Sequence, residues 1–397
     1  MNSLSTDSRR LAAIILVGLV ARLVVAAALG GGFHFADETQ YVDAARRLLS
    51  GDGFDPAYQR VPGYPVLLAA LGGASPHSVL WLRLAQAALT AAGVALTFLL
   101  ADRLVGRAAG FAAAAVYALD PLLAVSAALL YPEAAAALIL AGVALAAVES
   151  ARRDSRTWAL LAGALLGVLA LFRPAALALV PVTAVWIACV APAPALRRLS
   201  HAAVVALACL LVLAPWTYRT YQLQGRVVPV SLVGTKTAGI TRAEAETYGV
   251  TGPLLSRARS DPAAFAKRVV REFGHFWELT PQRLMTDDPE RRQALHRVNP
   301  RLPTTAFASP SLRDVVAGTA SGIELLLAVG GLAVLWRSRR REAVLLAGLI
   351  LIYALVHALF LGKMRYRITV LPLLFVFVGA GIAWLHAALA RRRPSDD

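Results

Sequence analysis

Two adjacent acids, Asp37 and Glu38, follow the first apolar run of the chain, in the segment ADETQYVDAARRLLSG. Two more, Asp120 and Glu133, interrupt the apolar stretch YALDPLLAVSAALLYPEAAAA. A carboxylate can act as a general base on a hydroxyl group, and a carboxylate at bilayer depth is costly unless it faces water or a partner. Each acid also has a structural interpretation, as the cap or first-turn charge of a helix. The residues alone leave both interpretations open.

Cations border the same apolar runs, in the segments LFRPAA, APWTYRT and GKMRYRITVLP, which contain Arg173, Arg219, Lys363, Arg365 and Arg367. Such a set favours an anion, above all a phosphate, although basic side chains also extend towards lipid headgroups for purely structural reasons. Carboxylates beside phosphate-binding cations suit group transfer, in which an acid takes the proton of an acceptor and the cations neutralise the departing phosphate. No nucleotide-binding glycine motif is present, so we expect a lipid to deliver the donor.

The composition indicates the kind of protein that must position these residues. Of 397 residues, 58% are hydrophobic and 16% are charged, whereas a soluble domain carries about 25% charged residues. We therefore predict an all-α integral membrane protein, because a backbone in lipid must satisfy its own hydrogen bonds. The net charge of +16 comes largely from short basic clusters between apolar runs. That distribution is typical of membrane topology rather than of nucleic-acid binding.

We predict ten membrane helices, at residues 11–30, 79–101, 107–125, 128–149, 157–172, 174–191, 200–217, 317–336, 342–361 and 368–389. The arginine clusters near residues 9, 103, 152, 197, 339 and 391 all fall on one side of this topology, which the positive-inside rule makes cytoplasmic. Both termini are then cytoplasmic. The first apolar run is long enough to be a retained helix rather than a cleaved signal.

We predict a single transmembrane domain over residues 1–397. Most of the chain outside the membrane helices lies in two outer loops, at residues 31–78 and 218–316. The first is expected to contain a helix over 38–50, capped by Asp37 with Gln40. The second is expected to contain an amphipathic helix over 261–277 that lies on lipid and is anchored by Trp277. Arg22 and Arg83, inside the first two helices, are expected to pair with carbonyl groups or acids.

Five segments, taken in order, resemble the GT-C glycosyltransferases that use polyprenyl-phosphate sugars. This group includes the protein O-mannosyltransferases, the aminoarabinose transferases of lipid A and the RgtA/B/C/D-like enzymes. The segments are ADETQYVDAARRLLSG with RVPGYPVLLAAL, ALLYPEAAAALILAGVAL, LFRPAALALVP, APWTYRTYQLQGRVVPVS and RYRITVLPLLFVFVGAGIAWL. Pro132 stands where these enzymes usually have threonine, and Thr220 stands where they usually have asparagine. The chain is also expected to lack a periplasmic domain after the tenth helix.

The resemblance implies a GT-C fold with Asp37 as the catalytic base and Glu133 as a second active-site carboxylate. It implies that the lipid phosphate lies near the segment that contains Lys363, Arg365, Tyr366 and Arg367. By the same resemblance, Arg60 and Tyr64 contact donor or acceptor, and Glu38, Arg173 and Arg219 complete the substrate-binding set. The residues leave open whether a divalent metal, Mg or Mn, bridges Asp37, Glu133 and the phosphate.

We therefore expect an inverting glycosyltransferase at the outer face of the inner membrane. Its donor would be a polyprenyl-phosphate monosaccharide, and its acceptor an envelope lipid, glycan or protein. The main alternative is a transporter or flippase of an anionic lipid or sugar, which intramembrane charges also suit. Transporters often show paired repeats and broken helices at the midplane, and neither is evident in the sequence. A non-catalytic envelope assembly protein is a further alternative.

Overall fold

The computed structural model describes residues 6–55, 58, 60–72, 78–225, 251–280 and 310–391. Parts of both predicted outer loops, at 73–77, 226–250 and 281–309, therefore lie outside the described residues, as do 1–5 and 392–397. The described part is helical throughout and contains no strand. Its helices are α1 Thr6–Leu29, α2 Ala36–Leu49, α3 Gly63–Ala70, α4 Ser78–Leu104, α5 Arg107–Leu119, α6 Pro121–Ala128, α7 Glu133–Arg153, α8 Arg156–Phe172, α9 Leu179–Val190, α10 Ala195–Gln224, α11 Thr251–Ser260, α12 Pro262–Phe276, α13 Pro310–Ser338, α14 Arg340–Phe360, α15 Met364–Arg367 and α16 Leu371–Ala390.

Each of the ten predicted membrane segments corresponds to helix in the structure. Among the described residues, seven helical segments are long and apolar enough to cross a membrane, and α5 with α6 forms one further bent span. Two shorter apolar stretches, Arg156–Phe172 and Pro174–Val190, account for the other two predicted segments. The all-α membrane fold is thereby confirmed, although the number of full crossings depends on how the bent and short helices are counted.

The predicted helix over 107–125 is broken into α5 and α6, which meet at an angle of 53°. Pro121 lacks an N–H and so cannot continue the helical hydrogen-bonding pattern. Asp120 instead caps α6, since its Oδ1 accepts from the backbone N–H of Leu123 at 2.6 Å. Arg22 of α1 donates to the last carbonyls of α5, those of Tyr117 and Ala118, at 2.8 and 3.1 Å. The structural interpretations of Asp120 and Arg22 are confirmed.

Close helix packing at α8 and α10 depends on two glycines, Gly163 and Gly167, one helical turn apart. A Cβ atom at residue 163 would lie 2.3 Å from the carbonyl oxygen of Val205. A Cβ atom at residue 167 would lie 2.7 Å from Cβ of Val212. Small residues spaced by four let helix backbones approach closely in membranes, where van der Waals packing holds helices together. The GALLG sequence therefore sets the distance between α8 and α10.

The start of α2 differs from the prediction. Phe35, not Asp37, is the N-cap residue, and Glu38 supplies the capping carboxylate. Oε2 of Glu38 accepts from the backbone N–H groups of His34 and Phe35, at 2.6 and 3.3 Å. The prediction that Asp37 caps this helix with Gln40 was therefore wrong. The helix begins one residue before Asp37, which frees the Asp37 side chain for other contacts.

The amphipathic helix α12 occupies the predicted position in the chain. On its apolar face Phe276 is fully buried and Phe273 packs against the protein core, and the contact of this helix with lipid stays a prediction. The Val270 side chain, on another face, is 71% exposed. The aromatic face is covered by the protein because α12 packs against α14. As predicted, Asp261 caps the helix, through a 2.9 Å bond from the N–H of Ala264.

Ion pairs bring several of the predicted cytoplasmic arginine clusters to one end of the bundle. Nε of Arg107 lies 3.3 Å from Oδ2 of Asp7, which joins the first residues of α5 and α1. At the same end Arg103 and Arg153 both bind Glu149, and Nη1 of Arg197 lies 2.6 Å from Oδ2 of Asp154. The start of α7 must then lie at the opposite end, because α7 spans the bundle. The segment before α2 lies there too, because it follows the end of α1, which also spans the bundle.

Candidate active site

Asp37 is the second residue of α2 and forms ion pairs with two arginines from distant parts of the chain. Its Oδ1 lies 2.7 Å from Nη2 of Arg60, and its Oδ2 lies 3.5 Å from Nη2 of Arg365. Arg60 also donates to Oε1 of Gln40 and to the hydroxyl of Tyr41, at 3.0 and 3.1 Å. The guanidinium of Arg60 is thus fixed by one turn of α2, and it holds the Asp37 carboxylate in place.

Glu133 is the first residue of α7, with only 1% of its side chain exposed. It forms an ion pair with Arg173, which follows the last residue of α8. Its Oε1 also lies 3.5 Å from Nε of Arg365. The N-terminal end of a helix favours a negative charge, and the two arginines supply the opposite charges that a buried carboxylate requires.

Arg365 lies between the two carboxylates. It contacts Asp37 through Nη2 and Glu133 through Nε, at 3.5 Å in both cases. Its guanidinium carbon lies 4.7 Å from the ring centre of Tyr131 and 5.2 Å from that of Tyr366. Arg365 belongs to the short helix α15, so one four-residue helix joins acids that come from α2 and α7.

The cluster carries more positive than negative charge. Its three arginines, Arg60, Arg173 and Arg365, pair with only two carboxylates, so these five side chains have a net charge of +1. Arg173 also stacks on Tyr366, with its guanidinium carbon 4.8 Å from the ring centre. Such aromatic contacts hold cations in place without neutralising them. The arrangement can therefore bind a further anion.

The pKa of Asp37 lies below its usual value. Burial of the carboxyl group raises this pKa, but Arg60 and Arg365 lower it by a larger amount. Since the opposite charges favour the ionised form, Asp37 is a carboxylate at neutral pH. A carboxylate can accept a proton from a hydroxyl group that becomes acidic as it reacts.

An open groove adjoins the cluster on the side of Glu133 and Arg365. It has a volume of about 250 Å³, including space open to the surroundings. Most of its wall is apolar, and its lining residues are Leu122, Val125, Ser126, Leu129, Tyr131, Glu133, Arg365 and Ile368. A mostly apolar groove that a cation helps to line suits a ligand that has a hydrocarbon part and an anionic group.

Glu38, predicted to bind substrate, has a structural role. Its side chain and that of Arg83 are both fully buried, with Oε1 of Glu38 3.0 Å from Nη1 of Arg83. Oε1 also accepts from the N–H of Leu130 at 2.9 Å, while Oε2 caps α2. Both of its oxygens are bound inside the protein, and its contact with substrate stays a prediction. The structural role expected for Arg83 is confirmed.

Tyr64 and Arg367 are buried, and their polar atoms bind residues other than the acids of the cluster. The hydroxyl of Tyr64 donates to Oε1 of Gln86 at 2.6 Å, and the side chain is fully buried. Arg367, at 1% exposure, donates to Oγ of Ser321 and to the carbonyl of Glu278, at 2.9 and 3.0 Å. The structure gives both residues partners inside the protein, and their contact with substrate stays a prediction.

Arg219 and Lys363 lie at the margin of the site. Arg219 donates to the carbonyls of Phe54 and Asp55, at 3.1 and 3.2 Å, and stacks on Trp216. It thus fixes the first outer loop to α10 rather than contacting the acids. Lys363 is half-buried and precedes Arg365 by two residues, on the same segment.

Two tyrosines at the site were missed by the sequence interpretation. Tyr41 contacts Arg60, and Tyr131 contacts Arg365. Tyr41 lies four residues after Asp37, and this spacing predicts that the two side chains are neighbours on the same face of α2. Tyr131 lies two residues before Glu133 in an otherwise apolar run. Side-chain identity alone did not distinguish either from an ordinary core aromatic.

The two carboxylates of the cluster have arginines as partners in this structure. Groups of three or more histidine, cysteine, aspartate or glutamate side chains suited to a metal ion do not occur among the described residues. The ligand oxygens that Mg or Mn would use, on Asp37 and Glu133, are bound by arginines instead. Arg365 lies 3.5 Å from both carboxylates.

Comparison with known proteins agrees with the resemblance noted in the sequence. Residues 66–218 match the family model described as dolichyl-phosphate-mannose-protein mannosyltransferase. This region includes Glu133 and Arg173, whereas Asp37, Arg60 and Arg365 lie outside it. A search of curated proteins finds no match to the chain.

Solved structures share the fold at low sequence identity. The apo oligosaccharyltransferase from Archaeoglobus fulgidus aligns with 97% of this chain at 12% identity, with a TM-score of 0.62. The oligosaccharyltransferase AglB of the same organism, solved with an inhibitory peptide and a dolichol-phosphate, aligns with 96% of this chain at 13% identity and a TM-score of 0.58. Both alignments cover 52% of the oligosaccharyltransferase chain, so this chain spans about half the length of those proteins.

A third structure, ArnT from Cupriavidus metallidurans bound to undecaprenyl phosphate, aligns with 97% of this chain and 81% of its own, at 16% identity. Its TM-score of 0.45 is too low to establish a common fold. The match to the mannosyltransferase family and the fold shared with the oligosaccharyltransferase confirm the predicted resemblance to the GT-C glycosyltransferases.

Proposed function

We propose that the protein is a membrane glycosyltransferase that moves a monosaccharide from a polyprenyl-phosphate donor to a hydroxyl group of an envelope acceptor. The observation that carries this proposal is the position of Arg365. It lies 3.5 Å from the carboxylates of both Asp37 and Glu133 and lines a mostly apolar groove. A lipid in the groove would place its phosphate at Arg365 and its sugar beside Asp37.

The lipid-linked donor is supported by the comparisons. The matching family model is named for dolichyl-phosphate-mannose, and the archaeal oligosaccharyltransferase was solved with a dolichol-phosphate. Both molecules have a long hydrocarbon chain and a phosphate. The groove of this protein has a mostly apolar wall that includes Arg365, and so offers contacts to both groups.

The charge of the site also favours a donor of this kind. A sugar joined to a lipid by one phosphate carries a single negative charge, because the phosphate is a diester. The three arginines and two carboxylates of the site leave one positive charge for it. A bound phosphate would offset this positive charge.

In the proposed reaction, the acceptor hydroxyl oxygen forms a bond to C1 of the sugar on the face opposite the phosphate. The bond between C1 and the phosphate oxygen breaks, and its electron pair stays with that oxygen. The acceptor proton passes to Asp37. Arg365 and Arg173 stabilise the charge that develops on the phosphate, and Glu133 holds both arginines in position. Direct displacement inverts the configuration at C1.

We further propose that the site faces the periplasm or outside and that both termini are cytoplasmic. The arginine clusters of Arg103, Arg107 and Arg197 lie at one end of the bundle, and the ion-pair cluster lies at the other. Short loops rich in arginine stay on the cytoplasmic side. This placement puts the reaction at the outer face of the inner membrane, where envelope glycans, lipids and proteins are accessible.

A transfer assay tests the proposal. The purified protein in nanodiscs would be given labelled undecaprenyl- and decaprenyl-phosphate sugars, with crude envelope as acceptor, with and without EDTA. We expect label to move into the envelope with the wild type and not with Asp37→Asn. Asp43→Asn is the matched control, because Asp43 lies on the same helix but pairs with Arg46 at the surface. We expect EDTA to have no effect, since arginines rather than a metal hold the carboxylates.

A transporter would give a different result. Labelled lipid or sugar would cross the bilayer of proteoliposomes without any donor being consumed. That outcome would replace the glycosyltransferase proposal. If Asp37→Asn and Asp43→Asn lose transfer to the same extent, the protein is still a glycosyltransferase, but Asp37 is not its base.

A further inference from the structure

We infer that residues 262–280, from the second outer loop, act as a clasp that positions Arg365 for the donor phosphate, with Glu272 as the main positioning residue. The inference rests on the proposed function for the identity of the ligand. The clasp itself is defined by contacts between residues 262–280 and the segment 359–367, which contains Lys363 and Arg365.

The segment that the clasp holds has little regular structure of its own. Helix α14 ends at Phe360, and Leu361 and Lys363 have extended backbones. The four-residue helix α15 follows and presents Arg365 to the site. A stretch this short cannot hold a guanidinium in place by helical hydrogen bonds alone. Other parts of the protein must fix it.

Arg268 makes the first contact of the clasp. It donates from Nη2 to the carbonyl of Leu359 at 2.6 Å and from Nη1 to the carbonyl of Phe360 at 3.4 Å. These are among the last carbonyls of α14, which have no partners within the helix. A cation at this end also interacts favourably with the helix dipole. Arg268 therefore fixes the point at which the segment leaves α14.

Glu272 makes the second contact, one helical turn after Arg268. Its Oε2 accepts from the backbone N–H of Gly362 at 2.9 Å, and the residue is 8% exposed. Oε1 lies 3.7 Å from Nη2 of Arg271, so a cation accompanies this buried carboxylate. Gly362 is required here: a Cβ atom at this position would lie 1.7 Å from the carbonyl oxygen of Glu272. The backbone of α12 thus touches the segment directly.

A third contact lies beyond the site residue. Arg367 donates to the carbonyl of Glu278, which follows the end of α12, at 3.0 Å. Residues 262–280 therefore bind the segment before and after Arg365. The remaining freedom of Arg365 is limited to its own side chain, which packs on Tyr131 and Tyr366. The clasp thus links α12, which lies outside the ion-pair cluster, to the position of Arg365.

The inference predicts separate effects of charge and of hydrogen bonding at residue 272. In Glu272→Leu the N–H of Gly362 loses its acceptor and stays buried, so the segment should shift to find another. In Glu272→Gln the amide oxygen can still accept this bond. We expect Glu272→Leu to raise the KM for the donor about tenfold. We expect kcat to fall as well, because the displaced Arg365 also stabilises the charge that develops on the phosphate. We expect Glu272→Gln to stay within about twofold of the wild type in both.

Two measurements on the full chain in nanodiscs test this. The first is the KM and kcat split for the donor, together with binding of undecaprenyl phosphate. The second is hydrogen exchange of the amides at 361–367 without ligand, which should become faster in Glu272→Leu. Lys267→Gln is the matched control, because Lys267 is exposed on the same helix. It should behave as the wild type in both measurements.

Unchanged donor KM and unchanged exchange in Glu272→Leu would overturn the inference. Equal defects in Glu272→Leu and Glu272→Gln would also overturn it, because charge rather than the bond to Gly362 would then matter. Arg365→Gln identifies failure of the proposed function separately. If this variant binds undecaprenyl phosphate as well as the wild type does, the phosphate site is wrong. The exchange measurement still decides whether the clasp exists.

Discussion

Nη2 of Arg60 lies 2.7 Å from Oδ1 of Asp37 and joins the segment before α3 to the first turn of α2. The pair is partly exposed, so it is accessible to a ligand as well as to water. In the proposed reaction, Arg60 both orients the base and keeps it ionised. Its replacement should therefore change the acid dependence of transfer and not only its rate.

We predict that Arg60→Gln moves the acidic limb of the pH profile to higher pH. Burial raises the pKa of Asp37, whereas Arg60 and Arg365 lower it. Without Arg60, only Arg365 counters the effect of burial on Asp37. The pKa of Asp37 therefore rises, and the base becomes protonated at a higher pH. The wild type should keep its activity down to lower pH than the variant. Profiles of kcat/KM against pH measure this, with Arg46→Gln on the exposed face of α2 as control. Coincident acidic limbs would contradict the assignment of Asp37 as the titrating base.

We predict that breaking the buried pair between Glu38 and Arg83 destabilises the protein severely. Glu38→Gln or Arg83→Met leaves one buried charge without its partner, at a cost of about 3–5 kcal/mol. The double variant should lose less than the sum of the two, because neither charge then remains alone. Unfolding free energies in detergent measure this, with the exposed Asp43→Ala as control. Simple additivity would show that the two residues contribute independently.

We predict that Arg365→Gln weakens binding of undecaprenyl phosphate by about ten- to a hundredfold. A hydrogen bond to a charged group contributes about 1.5–3 kcal/mol. Arg365→Lys should also be impaired, because one ammonium group cannot contact Asp37 and Glu133 in the geometry of a guanidinium. Arg10→Gln should leave binding unchanged, because Arg10 is exposed near the start of α1, at the end of the bundle opposite the site. Binding to nanodisc-embedded protein is the readout, and full affinity in Arg365→Gln would remove the phosphate from this position.

We predict that Gly163→Ala destabilises the packing of α8 against α10 by about 1–3 kcal/mol, the usual effect of overfilling a close contact. The added methyl group would meet the carbonyl of Val205, which is backbone and cannot turn aside. Gly330→Ala is the matched control, since Gly330 lies in helix α13 with nothing within 4 Å of the new atom. It should be neutral or slightly stabilising, because alanine favours a helix more than glycine does. Thermal unfolding in detergent compares the two, and equal midpoints would show that the helices can separate without penalty.

The sequence alone determined much of the helical framework. A hydrocarbon core admits only segments that satisfy their own backbone hydrogen bonds, so runs of about twenty apolar residues mark helices without reference to packing. The sequence also placed Arg103, Arg107 and Arg197 at the ends of helices, because these arginines border the apolar runs. The bend at Pro121 was less clear, because proline in a membrane helix is compatible with either a kink or a break.

The tertiary structure alone decided which charged residues meet. Asp37 and Glu38 are neighbours in sequence, yet successive residues of a helix point in different directions. Asp37 therefore faces Arg60 and Arg365, while Glu38 faces the interior and Arg83. Likewise Arg365 enters the site and Arg367 turns towards Glu278. Composition and spacing identify carboxylates and cations at a membrane interface, but their partners come from helices that are distant in sequence. Only the packing of those helices fixes the distances on which the proposed chemistry depends.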